Sequence, residues 1–392
     1  MIAGRQDLRA LRMGTWARAA GLVVALSLCL VGCGPAWQAT VAQPDGGSSD
    51  VDAGVLRNLE VYAEELEGGQ AVPLERVLWS AGHRAVEDLV ITESDGTTRK
   101  LKWLDVAEGA WWWADGSLEI GGERIQASHL DVEPPGLLSE VEASITDIAP
   151  TAAAALGLRQ PEQSTGRALD VPAADRVALV FLDGFGYVRY TEALAAGQIP
   201  NLSSLGEPLV GLTTYPPITA VSSASLLTGA PPEVHGVDQR GLRKTETETL
   251  FDVAASAGLT PVAVEGESLA FALRNAEVQL SADFDGDGST DDNVLNNALD
   301  VLRAGAPDVF FVHFHGIDDA GHTYGPGAPE ECAAIMKEDA AVGRILELLP
   351  SGTLVIIFAD HGMHDVDEEG RLGNHGHLVE RDMFIPIFLV TK

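Results

Sequence analysis

Three features of the sequence predict an α/β fold: a mainly parallel sheet sandwiched by helices, preceded by a small mostly-β domain. Between Ala174 and Lys392 short unbroken apolar runs alternate with amphipathic stretches. Strands buried on both faces read as continuous Val, Ile, Leu and Phe, and the helices between them make the crossovers of a parallel sheet. Ahead of that region, turn signals recur every few residues and separate short β-prone segments. The 392 residues leave room for two domains and a sizeable core.

Taken in order, the chain opens with Arg5, Arg9, Arg12 and Arg18 before an apolar run from Ala19 to Val31. That run is shorter than the ~20 residues that a membrane-spanning helix needs. It ends in Leu30-Val31-Gly32-Cys33, which resembles a bacterial lipobox. By that resemblance residues 1–32 are a cleaved lipoprotein signal peptide and Cys33 is the lipidation site, with a plain signal peptide or an uncleaved anchor as the alternatives. The protein is then exported and touches the membrane only through its lipid anchor, on the periplasmic side or at the cell surface. Residues 33–54, rich in Gly, Ser and Asp, read as a flexible tether.

Residues 55–142 read as the small β domain. Its expected strands are Glu60 to Tyr62, Leu89 to Thr92, Arg99 to Trp103 and Ser117 to Ile120, with a helix from Leu74 to Ala81. The cluster Trp111-Trp112-Trp113 is expected to pack in the core or at a domain interface rather than stack on a ligand. Residues 143–392 form the second domain. Strands are expected at Val177 to Leu182, Pro261 to Val264, Val309 to Phe314, Leu354 to Phe358 and Phe384 to Val390. Helices are expected at Thr249 to Ala257, Asn293 to Ala304 and Pro329 to Leu349.

Composition narrows the function. Lys and Arg number 25 against 58 Asp and Glu, a net charge of -33. A surface that acidic repels phosphate polymers, so nucleic-acid binding through a basic face is not expected. The three cysteines, Cys29, Cys33 and Cys332, are too few for a Cys-rich zinc module or a disulfide framework. A metal would have to be held by His and carboxylates. Seven of the ten histidines fall between His313 and His377.

Ligands of parallel α/β sheets sit beyond the carboxyl ends of the strands. There the sequence places Asp183-Gly184, then His315-Gly316-Ile317-Asp318-Asp319-Ala320-Gly321-His322, then Asp360-His361-Gly362, with His375-Gly376-His377 shortly after. Three strand ends deliver carboxylates and imidazoles to one sheet edge. Asp and His without Cys suit Zn²⁺, with Mn²⁺ as the alternative, in a site that keeps an open position. His313, which alternates with buried residues inside a strand, is expected to act through stability.

These ordered motifs resemble the alkaline phosphatase superfamily, and most nearly its type I phosphodiesterase and nucleotide pyrophosphatase branch, over residues 174–392. The resemblance implies an alkaline phosphatase-like fold and a two-zinc site. One ion would be held by Asp318, His322 and His375, the other by Asp183, Asp360 and His361, with Thr219 as nucleophile at the open position. Thr219 is identified by its place ten residues before Gly229 in Pro217-Ile218-Thr219-Ala220-Val221-Ser222-Ser223-Ala224-Ser225-Leu226-Leu227-Thr228-Gly229. Ser222 replaces the Asn usual in this branch, and its hydroxyl is expected to donate to a phosphoryl oxygen. The implied reaction is hydrolysis of a small phosphodiester or phosphomonoester through a covalent phospho-threonine. Phosphonate hydrolysis on the same fold, or a non-catalytic surface-binding lipoprotein, are the alternatives. A sulfatase is excluded, because no C/S-x-P-x-R motif surrounds position 219.

Two further features stand apart. Asp283, Asp285, Asp287 and Asp291 have the spacing of a Ca²⁺ loop with Gly286 at its turn, but Val294 stands where the bidentate Glu belongs, leaving Ca²⁺ and a solvated acidic turn both open. The segment from Ile145 to Leu158 is similar to one that follows the last metal ligand in many superfamily members. Here it precedes the first, so the catalytic domain is expected to be circularly permuted, beginning near Ser144. That helix should then pack beside the last strand and not within the β domain. Arg189, Arg240, Arg243 and Lys244 are the basic candidates for a substrate anion.

Overall fold

The structure is a computed structural model that describes residues 37–392, apart from 268, 285, 287 and 369. The expected signal peptide and Cys33 lie outside the described residues. Eight strands form the main sheet: β1 (Ala143–Ser144), β2 (Arg176–Leu182), β3 (Leu209–Leu212), β4 (Pro261–Gly266), β5 (Glu277–Ser281), β6 (Val309–Phe314), β7 (Thr353–Phe358) and β8 (Phe384–Thr391). Their spatial order is β1-β3-β8-β7-β2-β6-β4-β5. Pairing is parallel throughout except at β8, which runs antiparallel to β3 and β7.

Register decides where the site falls. Leu182 lies opposite Phe314, and Phe181 opposite both His313 and Phe358. The residues that follow β2, β6 and β7 therefore leave the sheet at one level on one edge. Phe181, Phe310, Phe311, Phe314 and Phe358 are almost wholly buried. At about 1.5–3 kcal/mol per fully buried large apolar side chain, these central strands stabilise the fold strongly. Among the flanking helices are Leu250–Ser256, started by a Thr249–Asp252 capping box, Asp291–Ala304 and Pro329–Leu348.

The short edge strand β1 and the helix Ile148–Ala155 belong to this main sheet. β1 pairs with β3, and the helix packs on Thr219–Thr228, on Leu250–Ser256 and on β7, the neighbour of β8. The helix stands with the main sheet and outside the N-terminal β region, and its main strand contact is with β7 rather than with the last strand.

The N-terminal region holds two five-stranded sheets. One contains Ala39–Ala42, Ser48–Val51, Asp88–Glu93, Thr98–Lys102 and Ala127–Glu133; the other contains Glu64–Leu66, Gly69–Pro73, Trp111–Trp113, Leu118–Ile120 and Glu123–Ile125. Two expectations are corrected here. Residues 39–51 are not tether: Ala39–Ala42 pairs with both Ser48–Val51 and Ala127–Glu133, burying Ala39, Val41 and Val51. The Gly-Asp composition serves the hairpin turn between the strands, where Gly46 has φ +86°. Glu60–Tyr62 is a 3-10 turn rather than a strand. Trp112 and Trp113 are buried, with Trp112 stacked on Trp37 at 6.2 Å, so this cluster is packing.

Candidate metal centre

Asp183 leaves β2 and Gly184 turns the chain behind it. Gly184 has φ +73°, and a Cβ there would stand 3.0 Å from the Asp318 side chain, so glycine lets the two carboxylate segments close on each other. Asp360 and His361 leave β7 just before Gly362, where a Cβ would fall 1.9 Å from the Arg381 carbonyl oxygen. Asp318 and His322 sit one turn apart on the helix Gly316–Tyr324. His375 follows the strand Arg371–Asn374, and Thr219 is the first residue of the helix Thr219–Thr228. A helix starting there brings its free N-terminal amides to a cleft of about 440 Å³ lined by Ile218, Thr219, Ala220, Asp183 and Asp318.

The side chains converge. Thr219 Oγ1 is 3.2 Å from His361 Nε2, which is also 3.2 Å from Asp360 Oδ2 and 3.5 Å from Asp183 Oδ1. His375 Nε2 is 3.7 Å from Asp318 Oδ1, and His322 Nε2 is 3.2 Å from Asp318 Oδ2. Three groups bring their ligand atoms within 4.8 Å of one another: Asp183–Asp360–His361, Asp318–His361–His375 and Asp183–His313–His315. His361 thus stands between the two expected halves. His322 stands outside the second group, with Arg371 Nη2 3.2 Å from its Nε2.

Asp183 Oδ1, Asp318 Oδ1, Asp360 Oδ2 and His375 Nε2 are buried atoms without a hydrogen-bond partner among the described residues. A buried polar atom left unpaired costs about 1–3 kcal/mol, and four in one place fit a cation. The Nδ1 atoms of His322, His361 and His375 lie at 2.8, 3.0 and 2.8 Å from the carbonyl oxygens of Gly373, Gly362 and Pro217. A carbonyl only accepts, so each Nδ1 carries the hydrogen; the Nε2 atoms of His361 and His375 are left to ligate, while Arg371 stands at that of His322.

The charges are equally unbalanced. Burial, and then the Asp183 and Asp318 carboxylates, push Asp360 well above the usual carboxylate range. Burial also works upward on Asp183, but hydrogen bonds from His313 and His315 outweigh it and hold that group well down. Burial, then the rings of His361 and His322, hold His375 well below an ordinary imidazole. Crowded carboxylates facing an imidazole held neutral fit the donor set of a divalent metal.

Other expected site residues fall elsewhere. Ser222 is fully buried and its hydroxyl pairs with Thr213 Oγ1 at 3.1 Å, which corrects the expected role at a phosphoryl oxygen. In the acidic loop Asp285 and Asp287 lie outside the described residues. Asp283 accepts from the amides of Gly286 and Gly288. Asp291 departs from the Ca²⁺ arrangement, because its carboxylate accepts from the amides of His315 and Gly316. Arg189 is committed to Glu331 in a buried pair at 2.5 Å. Arg240 and Arg243 do line the cleft, and Lys244 does not.

Sequence reasoning missed the supporting roles of five residues. His313 Nε2 lies 3.2 Å from Asp183 Oδ2, with Glu265 behind its Nδ1 at 3.0 Å, so this histidine orients the site rather than merely filling a strand. His315 makes a second bridge between Asp183 and Glu265, at 3.5 and 3.3 Å. Glu265 lies at the carboxyl end of β4, and the strand-end rule that found Asp183 would have found it. Asp382 accepts from the amides of Gly376 and His377 while pairing with His364 Nδ1, which fastens the loop after His375. Glu75, from the N-terminal region, contacts the same loop at His377 Nδ1, 3.1 Å away. Burial works against charge on His377, but that carboxylate raises its pKa to about 9.

Known proteins place this arrangement. The chain is 31% identical over 103 residues to the catalytic subunit of mouse GPI ethanolamine phosphate transferase 3, covering 26% of this chain and 9% of that protein. It is 24% identical over 217 residues to the venom phosphodiesterase CdcPDE of Crotalus durissus collilineatus, covering 48% of this chain and 26% of that one. The chain thus spans about a quarter or less of these relatives' lengths. Among solved structures, phosphonoacetate hydrolase from Sinorhizobium meliloti 1021 aligns with TM-score 0.39 and 22% identity, over 51% of this chain and 59% of that chain. Murine ectonucleotide pyrophosphatase / phosphodiesterase 5 aligns with TM-score 0.39 and 17% identity, over 50% and 59%. The family model for type I phosphodiesterase / nucleotide pyrophosphatase matches residues 177–284 and 273–383, more than half of the chain and every expected metal ligand. The chain belongs to the type I phosphodiesterase / nucleotide pyrophosphatase family.

Proposed function

We propose that this protein is a metal-dependent phosphohydrolase that cleaves small phosphate esters through Thr219. The observation that carries this reading is the set of four unpaired buried ligand atoms gathered beside the Thr219 hydroxyl. In this reading Asp183, Asp360 and His361 hold one Zn²⁺, and Asp318, His375 and His322 the other, with Mn²⁺ as the alternative metal. Such ions supply Lewis-acid stabilisation of phosphoryl charge and make a hydroxyl nucleophilic at neutral pH.

The chain's own groups do the rest. Thr219 Oγ1 attacks phosphorus and the ester's alcohol departs; water then cleaves the phospho-threonine and releases phosphate or the remaining monoester, restoring the hydroxyl. The helix N-terminus at Thr219 orients the phosphoryl oxygens. Arg240 and Arg243 line the same cleft. In a chain with more than twice as many acidic as basic residues, Arg240 makes no ion pair among the described residues, which favours a substrate bearing negative charge beyond its reacting phosphoryl group. We also place the protein outside the cytoplasm, held at the membrane through lipid on Cys33.

Turnover of p-nitrophenyl phosphate, its bis ester and a p-nitrophenyl phosphonate, each with and without chelator, tests the reading. Metal-dependent hydrolysis of at least one is expected. Turnover of none of them by zinc-loaded protein would return the molecule to a binding role.

A further inference from the structure

The N-terminal region reaches the loop that follows His375 through one carboxylate. Glu75 lies on the helix Leu74–Ser80, more than 100 residues before Asp183, and is 5% exposed. Its Oε1 accepts from the Leu378 amide at 2.8 Å and from Trp103 Nε1 at 3.3 Å. Its Oε2 accepts from the Tyr215 hydroxyl at 3.1 Å and meets His377 Nδ1 at 3.1 Å. These partners belong to the two segments that bear on His375. Tyr215 precedes Pro217, whose carbonyl accepts from His375 Nδ1, while His377 and Leu378 continue the chain just after His375. The Val86 amide closes the same contact by donating to the Leu378 carbonyl at 2.7 Å.

Apolar packing makes the junction continuous. Leu74, Leu78 and Trp103 share one buried cluster with Tyr215, Leu378, Val379 and Phe384. A carboxylate in such surroundings is costly unless its lone pairs are filled, and here four donors fill them. That many charge-assisted contacts set the spacing between the two segments they join.

We propose that Glu75 is a positioning residue of the metal centre, and that the N-terminal region acts through it to hold His375 in its ligating pose. The inference rests on the metal reading above. Loss of such an outer support typically lowers metal affinity about 10–100-fold. The chain's α/β part would then be an incomplete site without the region that precedes it.

The test is Zn²⁺ affinity of the full chain, read by competition with a chromogenic chelator. Glu75→Gln keeps the shape and one acceptor, and should weaken one of two bound ions at least ~10-fold; Glu75→Ala should weaken it further. In a His375→Ala background Glu75→Gln should add no further loss, whereas in a His313→Gln background, which disturbs Asp183 instead, its effect should persist. Glu233→Ala, which removes the peripheral acceptor of Trp79 Nε1, should bind zinc like wild type. Wild-type affinity in Glu75→Gln, or equal additional loss in both backgrounds, would overturn the proposal while leaving the metal reading standing. Wild-type protein that takes up no zinc would overturn both.

Discussion

Asp183, Asp360 and His361 hang from the ends of adjacent sheet strands, whereas Asp318, His322 and His375 are carried by a helix and a loop outside the sheet. The first half inherits its geometry from register: β2 and β7 are paired along most of their length, so the residues that follow them must emerge together. The second half has no such frame. It is held by separate props: the Gly373 carbonyl on His322, the Pro217 carbonyl on His375, and Asp382 and Glu75 on the loop that follows. The comparison teaches that neighbouring parts of one site can differ in what they need. The strand half depends on the core, and the loop half on distant segments that must dock correctly.

The largest effect should come from the proposed nucleophile. Thr219→Ala is expected to lose turnover by about 10³-fold or more while keeping its metal content. Thr219→Ser, which retains the hydroxyl, should recover part of the activity. Transfer through Thr219 involves two in-line displacements, so a chiral phosphate substrate should react with net retention. Inversion would point to direct attack by water and make Thr219 a bystander.

The halves themselves should separate next. His361 belongs to both ligand groups, so His361→Ala should weaken both ions, while His322→Ala should weaken only one. Metal content after dialysis checks this, and equal content in wild type and His322→Ala would refute that residue's assignment. His313→Gln should act on the strand half, lowering zinc affinity about 10–100-fold by loosening Asp183. A variant that only melted earlier, with affinity intact, would restore the purely structural role expected from its strand position.

The smallest effect concerns stability rather than chemistry. His235 Nδ1 accepts from the Val237 amide at 3.1 Å, so its Nε2 donates to Ser225 Oγ at 2.9 Å, and burial lowers its pKa to about 4. Between the ordinary value of 6.5 and about 4 the unfolded chain takes up a proton that the folded protein refuses. Stability is therefore lost as pH falls through that window. His235→Gln should show a shallower drop in melting temperature between pH 7 and pH 4.5; an unchanged slope would contradict a buried neutral imidazole.

Much of the sheet was legible because its strands are apolar on both faces. Val309 to Phe314 matches β6 residue for residue, and β2, β4, β7 and β8 differ only at their ends. Less was visible where burial is partial. β5, Glu277–Ser281, fully buries only Ser281 at the sheet edge, and Ala39–Ala42 is too short for its alternation to outweigh the Gly and Asp around it. The metal ligands could be read because they follow legible strands. Their supports could not: His313 meets Glu265 across 48 residues and Glu75 meets His377 across 302, distances at which only the folded chain creates the pair. Ser222 failed for a related reason, since nothing in its own segment announces Thr213 as the hydroxyl's partner.

Metal titration of chelated protein tests the central claim most directly. Zn²⁺ would be added stepwise while bound metal and p-nitrophenyl ester turnover are followed together. The account predicts two equivalents bound per chain, with activity rising as the second is taken up and absent in Thr219→Ala at the same occupancy. Full turnover in chelator, or saturation without any turnover, would contradict it.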